Sequence, residues 1–237
     1  RWVQIWEDPW YHDLYGGHSE QIKQEEHNLL RKGQEIYYVS PLTTHYQKKF
    51  FADCADKMNS IPLPFLAFGE DKGVIDSEIS FGYFGDYYSH TRNLQPFYDA
   101  ICATNSKCYI YGDSDLNLIS QNKIVVSGRV TLDKLEKVQN QTSILVHLCN
   151  LRGGQIPGKI YHYSATTKPI LFILDGTDEE KQIIKEFFAK YNRYYFCDNN
   201  QLDIERAITD LIQNYDQNRG HIVEEFCPKK VVAQLFQ

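Results

Sequence analysis

The chain has 237 residues, 42% of them hydrophobic, with 25 Lys and Arg against 31 Asp and Glu, a net charge of -6. That size and apolar content suit one large or two modest globular domains with real cores. The negative balance argues against nonspecific nucleic-acid binding, which needs clustered positive charge.

No apolar stretch approaches the roughly 20 residues that cross a bilayer, and the N-terminus shows no basic-then-apolar leader pattern. Arg1 in place of a starting methionine reads as an excised fragment whose missing part lies upstream. The cysteines Cys54, Cys102, Cys108, Cys149, Cys197 and Cys227 form no CxxC and no Cys/His pair at metal spacing. They read as reduced thiols of a cytosolic protein. The sequon at Asn140 has no weight without a secretory signal.

In chain order, WVQIW predicts a short strand, followed by an acidic, aromatic, turn-rich loop, EDPWYHDLYGGHS. Residues 19–32 start on a serine and read as a partly exposed helix that Gly33 closes. EIYYVS predicts a strand. Pro41 to Met58 reads as a second helix with Tyr46, Phe50, Phe51, Ala55 and Met58 inward. IPLPFLAFG, with two prolines, reads as an edge strand or linker.

From residue 77 the alternation restarts: strand EISFGYFG, helix 91–104, strands KCYIYG and KIVVSG, helix TLDKLEKVQ and strand SILVHLCN. Then come a glycine-rich loop and helix, strand LFIL, helix 177–191, strand YYFCD and helix 200–215. A last helix begins near Pro228, a residue suited to a first helical position. Strands alternating with helices predict an α/β, doubly wound parallel sheet, Rossmann-like, over 71–222. A partial second α/β domain (1–70) precedes it, and a C-terminal helix (223–237) follows.

The run GQIPGKIYHYSATTKPILFI (154–173) carries the strongest functional signal. Gly154, Gln155, Ile156 and Gly158 are expected to offer backbone N–H groups at a helix start, and Lys159 a positive charge, to a phosphate. Ligands of open parallel sheets bind beyond the carboxyl ends of the strands. That rule selects FGDYYSHTR, YGDSD, SGRVT, NLRGGQIPGK and LDGTD. Within them Gly85, Asp86 and Ser89 form a second turn, and Arg92 is suited to clamp a phosphate or carboxylate. A glycine turn into a helix and an ordinary surface arginine are the plainer alternatives. His147 reads as a satisfied core histidine.

Taken together, FGYFGDYYSHTRNLQPFYDAI, CYIYGDSD, IVVSGRVTLDKL and ILVHLCNLRGGQIPGKIYHYSATTKPIL resemble the C-terminal, donor-binding half of GT-B glycosyltransferases. The likeness runs from about Ile79 to Leu211 and more weakly over the first 70 residues, which look like the tail of the acceptor-binding domain. It implies a nucleoside-diphosphate sugar as substrate, UDP-linked, with no cofactor or metal. The implied acceptor is a glycan or a lipid-linked sugar, with peripheral membrane contact through the missing N-terminal half.

By this resemblance Arg129 and Val130 lie beside the nucleobase and His162 stands where the family has a ribose-binding carboxylate. A neutral imidazole offers one donor and one acceptor, so bidentate ribose recognition is in question there. Glu7 and Asp8 follow the first strand, and Asp8 is the candidate base, with a turn-capping acid as the alternative. Trp2, Trp6, Trp10, Tyr11 and Tyr15 fit sugar stacking or core packing equally. A noncatalytic, degenerate sugar-nucleotide module is the competing reading. A sugar-nucleotide epimerase lacks a base set, and a receiver-like domain lacks paired acids at its first strand.

Overall fold

Two parallel sheets form in chain order. In this computed structural model, residues 1–16, 18–65, 78–216 and 220–236 are described. The first sheet holds β1 (Val3–Trp6), β2 (Glu35–Tyr38) and β3 (Met58–Ser60) in the order β1-β2-β3. Helix α1 (Glu20–Leu30) and helix α2 (Pro41–Phe50) connect them. Ser19 and Ser40 cap these helices by accepting the Ile22 and Thr43 N–H groups, which satisfies donors that a helix start otherwise leaves orphaned.

The second sheet holds β4 (Ser80–Phe84), β5 (Lys107–Tyr111), β6 (Ile124–Ser127), β7 (Ile144–Leu148), β8 (Ile170–Leu174) and β9 (Tyr194–Asp198). Their order is β6-β5-β4-β7-β8-β9, all parallel. The doubly wound expectation is met. The chain first winds outward from β4 to β6, then returns to β7 beside β4 and winds the other way. This reversal opens a crevice at the carboxyl ends of β4 and β7.

Both faces of this sheet are covered. One apolar layer takes Phe81, Tyr83, Val146, Leu148, Leu171 and Ile173 against α3 (Gln95–Thr104) and α7 (Gln201–Gln213). The other takes Phe84, Leu145, Phe172 and Leu174 against α4 (Leu132–Gln141), α5 (Lys159–Tyr163) and α6 (Asp178–Ala189). All residues of β4, β7 and β8 are buried, which is why they read as unbroken apolar runs rather than alternating ones. Thr177 and Glu180 form a reciprocal capping box at the start of α6.

Three expectations shift. The helix predicted from Pro41 to Met58 stops at Phe50, because Phe51 leaves helical backbone angles (φ -126°, ψ 61°). A 3-10 segment (Ala52–Lys57) follows, and Met58 enters β3 opposite Ile36. The buried face of α2 is therefore Leu42, Thr43, Thr44 and Gln47, and Met58 is buried from a strand. Residues 61–65 make no strand, two of them being prolines without an N–H; the rest of that run, and the expected boundary at residue 70, lie outside the described residues. Helix α3 begins at Gln95 rather than 91, with Pro96 in its first turn.

The two sheets are tied together at several points. Tyr46 donates to Glu180 at 2.8 Å, His45 and Lys49 meet Glu179 at 3.1 Å, and the Tyr161 hydroxyl donates to the Val39 carbonyl at 2.8 Å. Near the C-terminus, before α8 (Pro228–Gln234), the Phe226 ring packs on Tyr161 and Tyr191. The Phe226 carbonyl accepts the Phe65 N–H at 3.1 Å.

Candidate functional site

A cavity of about 500 Å³ opens at the crevice, within the size range of small-molecule and nucleotide sites. Its floor is Tyr83, Phe84, Val146, His147, Leu148 and Tyr163, from the ends of β4 and β7 and from α5. Gly85, Asp86, Tyr88, Thr91 and Arg92 come from the loop after β4, and Tyr111 and Gly112 from the end of β5. Arg129, Val130, Leu132 and Leu135 follow β6, while Pro157, Gly158 and Lys159 follow β7. Tyr15 enters from the first third of the chain.

Gly112 is needed where the β4 and β5 loops cross. A Cβ there would lie 2.0 Å from the Gly85 carbonyl oxygen, so no other residue lets the two backbones approach so closely.

Lys159 is partly buried, and burial lowers its pKa below the ordinary lysine value. Asp86 opposes that shift and Arg92 adds to it. Its ammonium makes no hydrogen bond or ion pair among the described residues. The Gly158 and Lys159 N–H groups also have no acceptor among them. Helix α5 spans only five residues, so its dipole is small and the positive field at this wall comes mainly from the Lys159 side chain.

Arg92 bridges two loops. Its Nε donates to Asn150 Oδ1 at 3.0 Å and its Nη1 to the Asp86 carbonyl at 2.9 Å. It forms no ion pair among the described residues, although the Asp86 carboxylate is near enough to be stabilised by its charge. Arg129 is different. Both its Nε and Nη2 donate to the Asp86 carboxylate, and its Nε lies 3.4 Å from Asp113 Oδ2. The Arg129 guanidinium accordingly holds the Asp86 carboxyl below the usual carboxylate range, assisted by the Asp113 N–H. This pair makes a planar cross-piece at the cavity mouth beside the apolar shelf of Val130, Leu132 and Leu135.

The structure thus gathers Gly85, Asp86, Arg92, Arg129, Val130, Gly158 and Lys159 on one cavity, and places the other candidates elsewhere. The Gly85 N–H is already engaged by the Tyr111 carbonyl at 2.9 Å. Ser89 gives both its N–H and its hydroxyl to Asp115, at 2.7 and 2.6 Å, tying the loop after β4 to the loop after β5. The Gly154 carbonyl accepts the Ser40 and Thr43 hydroxyls at 2.6 and 2.7 Å, and a Cβ on Gly154 would meet Thr43 Cα at 2.9 Å. That glycine is demanded by contact with α2.

Gln155 accepts the Leu14 N–H at 3.1 Å and donates to Asp13 at 2.6 Å. Ile156 is buried in the hydrophobic core. His162 is exposed and outside the cavity lining, as is Asp8. Half of the glycine-rich loop therefore faces the first third of the chain, because the sequence signal for a tight turn does not say which side of it the ligand occupies.

His147 departs from its expected role as a satisfied core residue. It is buried and packs edge-on against Phe172, yet it lines the cavity and its Nε2 has no hydrogen-bond partner. His147 was expected in the core, and Tyr15, for which sugar stacking and core packing were equally open, lines the cavity. The signal for His147 was its position one residue before the end of β7, at the sheet's reversal. Among the described residues one group of three metal-capable side chains exists, His27, Asp53 and Cys54. It lies away from the cavity, with Arg31 already paired to Asp53. No described helix is long and apolar enough to cross a membrane.

No protein-family model matches the sequence, and no curated protein matches it significantly. Solved structures do match. Anabaena Alr3699/HepE in complex with UDP and glucose aligns with a TM-score of 0.64 at 11% identity, covering 99% of this chain and 71% of that one. A glycosyltransferase from Rickettsia africae ESF-5 aligns at 0.69 and 12%, covering 99% and 68%. The lipopolysaccharide outer core galactosyltransferase WaaB aligns at 0.53 and 9%, covering 94% and 81%. At such identities the likeness is one of fold. The six-stranded reversing sheet, the smaller sheet docked on it and these alignments together establish that the chain has the fold of the GT-B glycosyltransferases.

Proposed function

We propose that the cavity binds the nucleoside diphosphate of a sugar donor, UDP-linked, and that the chain is the donor-binding part of a glycosyltransferase. In this reading the whole enzyme transfers the sugar to a glycan or lipid-linked acceptor. The observation that carries the reading is Lys159, a partly buried ammonium on the cavity wall that makes no ion pair among the described residues, beside Arg92, which makes none either, with the single carboxylate Asp86 acting on both. A diphosphate supplies the missing charge. The Gly158 and Lys159 N–H groups add donors to the same oxygens, and the Arg129 plane and Val130 flank the base. These fixed cations also stabilise negative charge developing on the leaving diphosphate. HepE, which shares the fold, is known with UDP and glucose bound. Asp8 receives no role in this reading, since it stands outside the cavity.

Calorimetric titration of the chain with UDP tests the proposal. The expected result is saturable binding that Lys159→Met weakens by roughly tenfold to a hundredfold, the worth of a hydrogen bond to a charged group. Absence of binding by the wild type, or equal binding by Lys159→Met, contradicts it.

A second reading, a noncatalytic module that has lost donor affinity, is favoured by the exposed His162 in place of a carboxylate. His162→Glu separates the two: a gain in UDP affinity supports decay, and a loss supports an adapted donor site.

A further inference from the structure

Asn150 follows the end of β7, is 7% exposed, and stands outside the cavity lining. Its side chain nonetheless holds a residue that lines the cavity. The Asn150 Oδ1 accepts the Arg92 Nε at 3.0 Å, and its Nδ2 donates to the Gln155 carbonyl at 2.9 Å. A guanidinium can only donate and a carbonyl can only accept, so these two partners demand a side chain that offers one group of each kind, as a primary amide does. The Leu151 N–H adds a second tie between the same loops by donating to the Thr91 carbonyl at 2.7 Å. Arg92 is thereby fixed between the loops that follow β4 and β7.

The charge of these contacts matters as much as their geometry. The Asn150 amide oxygen and the Asp86 carbonyl, which accept from Arg92, are both neutral. The nearby Asp86 carboxylate takes its hydrogen bonds from Arg129 instead. An aspartate at position 150 would accept from Nε equally well, but it would pair with the Arg92 charge and turn an oxygen without a proton toward the Gln155 carbonyl. Such a pair cancels the positive charge that an anionic ligand needs.

We propose that Asn150 is a positioning residue of the donor site: its uncharged amide orients Arg92 and leaves the guanidinium charge to the phosphate oxygens of the nucleoside diphosphate. This deepens the donor-site reading above and rests on it.

The test is a double-mutant cycle read by calorimetric titration with UDP, over wild type, Asn150→Leu, Arg92→Met and the double variant. Asn150→Leu removes both side-chain hydrogen bonds and is expected to weaken UDP roughly tenfold. Arg92→Met is expected to weaken it at least as much, and the double variant to bind no more weakly than Arg92→Met alone. A residue that merely braced the loop would lower affinity again in the Arg92→Met background. Asn150→Asp, nearly identical in shape, keeps the test open where Asn150→Leu does not fold, and it too is expected to weaken UDP. Losses that multiply in the double variant overturn the inference, as does UDP binding equal to wild type in Arg92→Met, Asn150→Leu or Asn150→Asp. Failure of the wild type to bind UDP instead overturns the donor-site reading itself.

Discussion

The Gln155 amide donates to the Asp13 carboxylate at 2.6 Å, while its carbonyl oxygen accepts the Leu14 N–H at 3.1 Å. The loop that follows β7 at the ligand edge of the larger sheet is thus locked to a loop near the N-terminus. Tyr15, next to Leu14, is the aromatic that this lock presents to the cavity.

Gln155→Ala removes both contacts. Each is worth about 0.5–1.5 kcal/mol, so the chain stays folded. Hydrogen exchange should show faster exchange confined to residues 11–16, with a modest loss of UDP affinity. Unchanged exchange there argues that the loop is held by other contacts.

Gly112→Ala is expected to be among the most damaging single changes. Its added Cβ would meet the Gly85 carbonyl oxygen at 2.0 Å, and both partners are backbone, so neither can rotate away. Overpacking of this kind costs about 1–3 kcal/mol or more. Thermal unfolding should show a clear loss, and UDP binding should fall with it because the Gly85 turn must move. The same change at Gly16, which has open space around it, should be close to neutral.

Glu26 predicts a pH dependence of stability. It is wholly buried, accepts the Tyr11 N–H at 2.5 Å, and burial raises its pKa to about 7, opposed by the Tyr11 and Trp10 N–H groups. The folded pKa lies above the unfolded value, so the native state binds more protons between them. Stability from this site is full below about pH 4, falls through the interval, and is lost as pH rises past the folded pKa. The loss is on the order of 3 kcal/mol. Urea unfolding from about pH 3.5 to about pH 8.5 spans both values and measures it, and Glu26→Gln should flatten that part of the curve.

Lys159 predicts a pH dependence of binding. Its pKa is lowered by burial, so its charge is lost at a lower pH than that of an ordinary lysine. UDP affinity should decline as pH rises through that lowered value. Lys159→Arg, which stays protonated throughout, should remove the decline. A decline of equal size in both proteins assigns it to another group.

The amino-acid order by itself determined the alternation of buried strands and amphipathic helices, and hence the doubly wound sheet. Unbroken apolar runs such as ILFIL admit few other solutions. It also located the strand-end loops, because ligand loops in such sheets are a matter of connectivity. The serine start of the helix at 19–32 was similarly legible, since a cap acts on N–H groups two or three residues away.

Only the tertiary structure decided which side of each loop faces the ligand. Gly154 and Gln155 turn to Thr43 and Asp13, more than a hundred residues away in the chain, while Lys159 and Gly158 turn to the cavity. It also decided that β7 returns beside β4, which brings His147, Arg92 and Lys159 to one cavity. The physical reason is range: periodicity and capping are local, whereas an unpaired charge or an unsatisfied ring nitrogen is defined by what distant segments fail to supply.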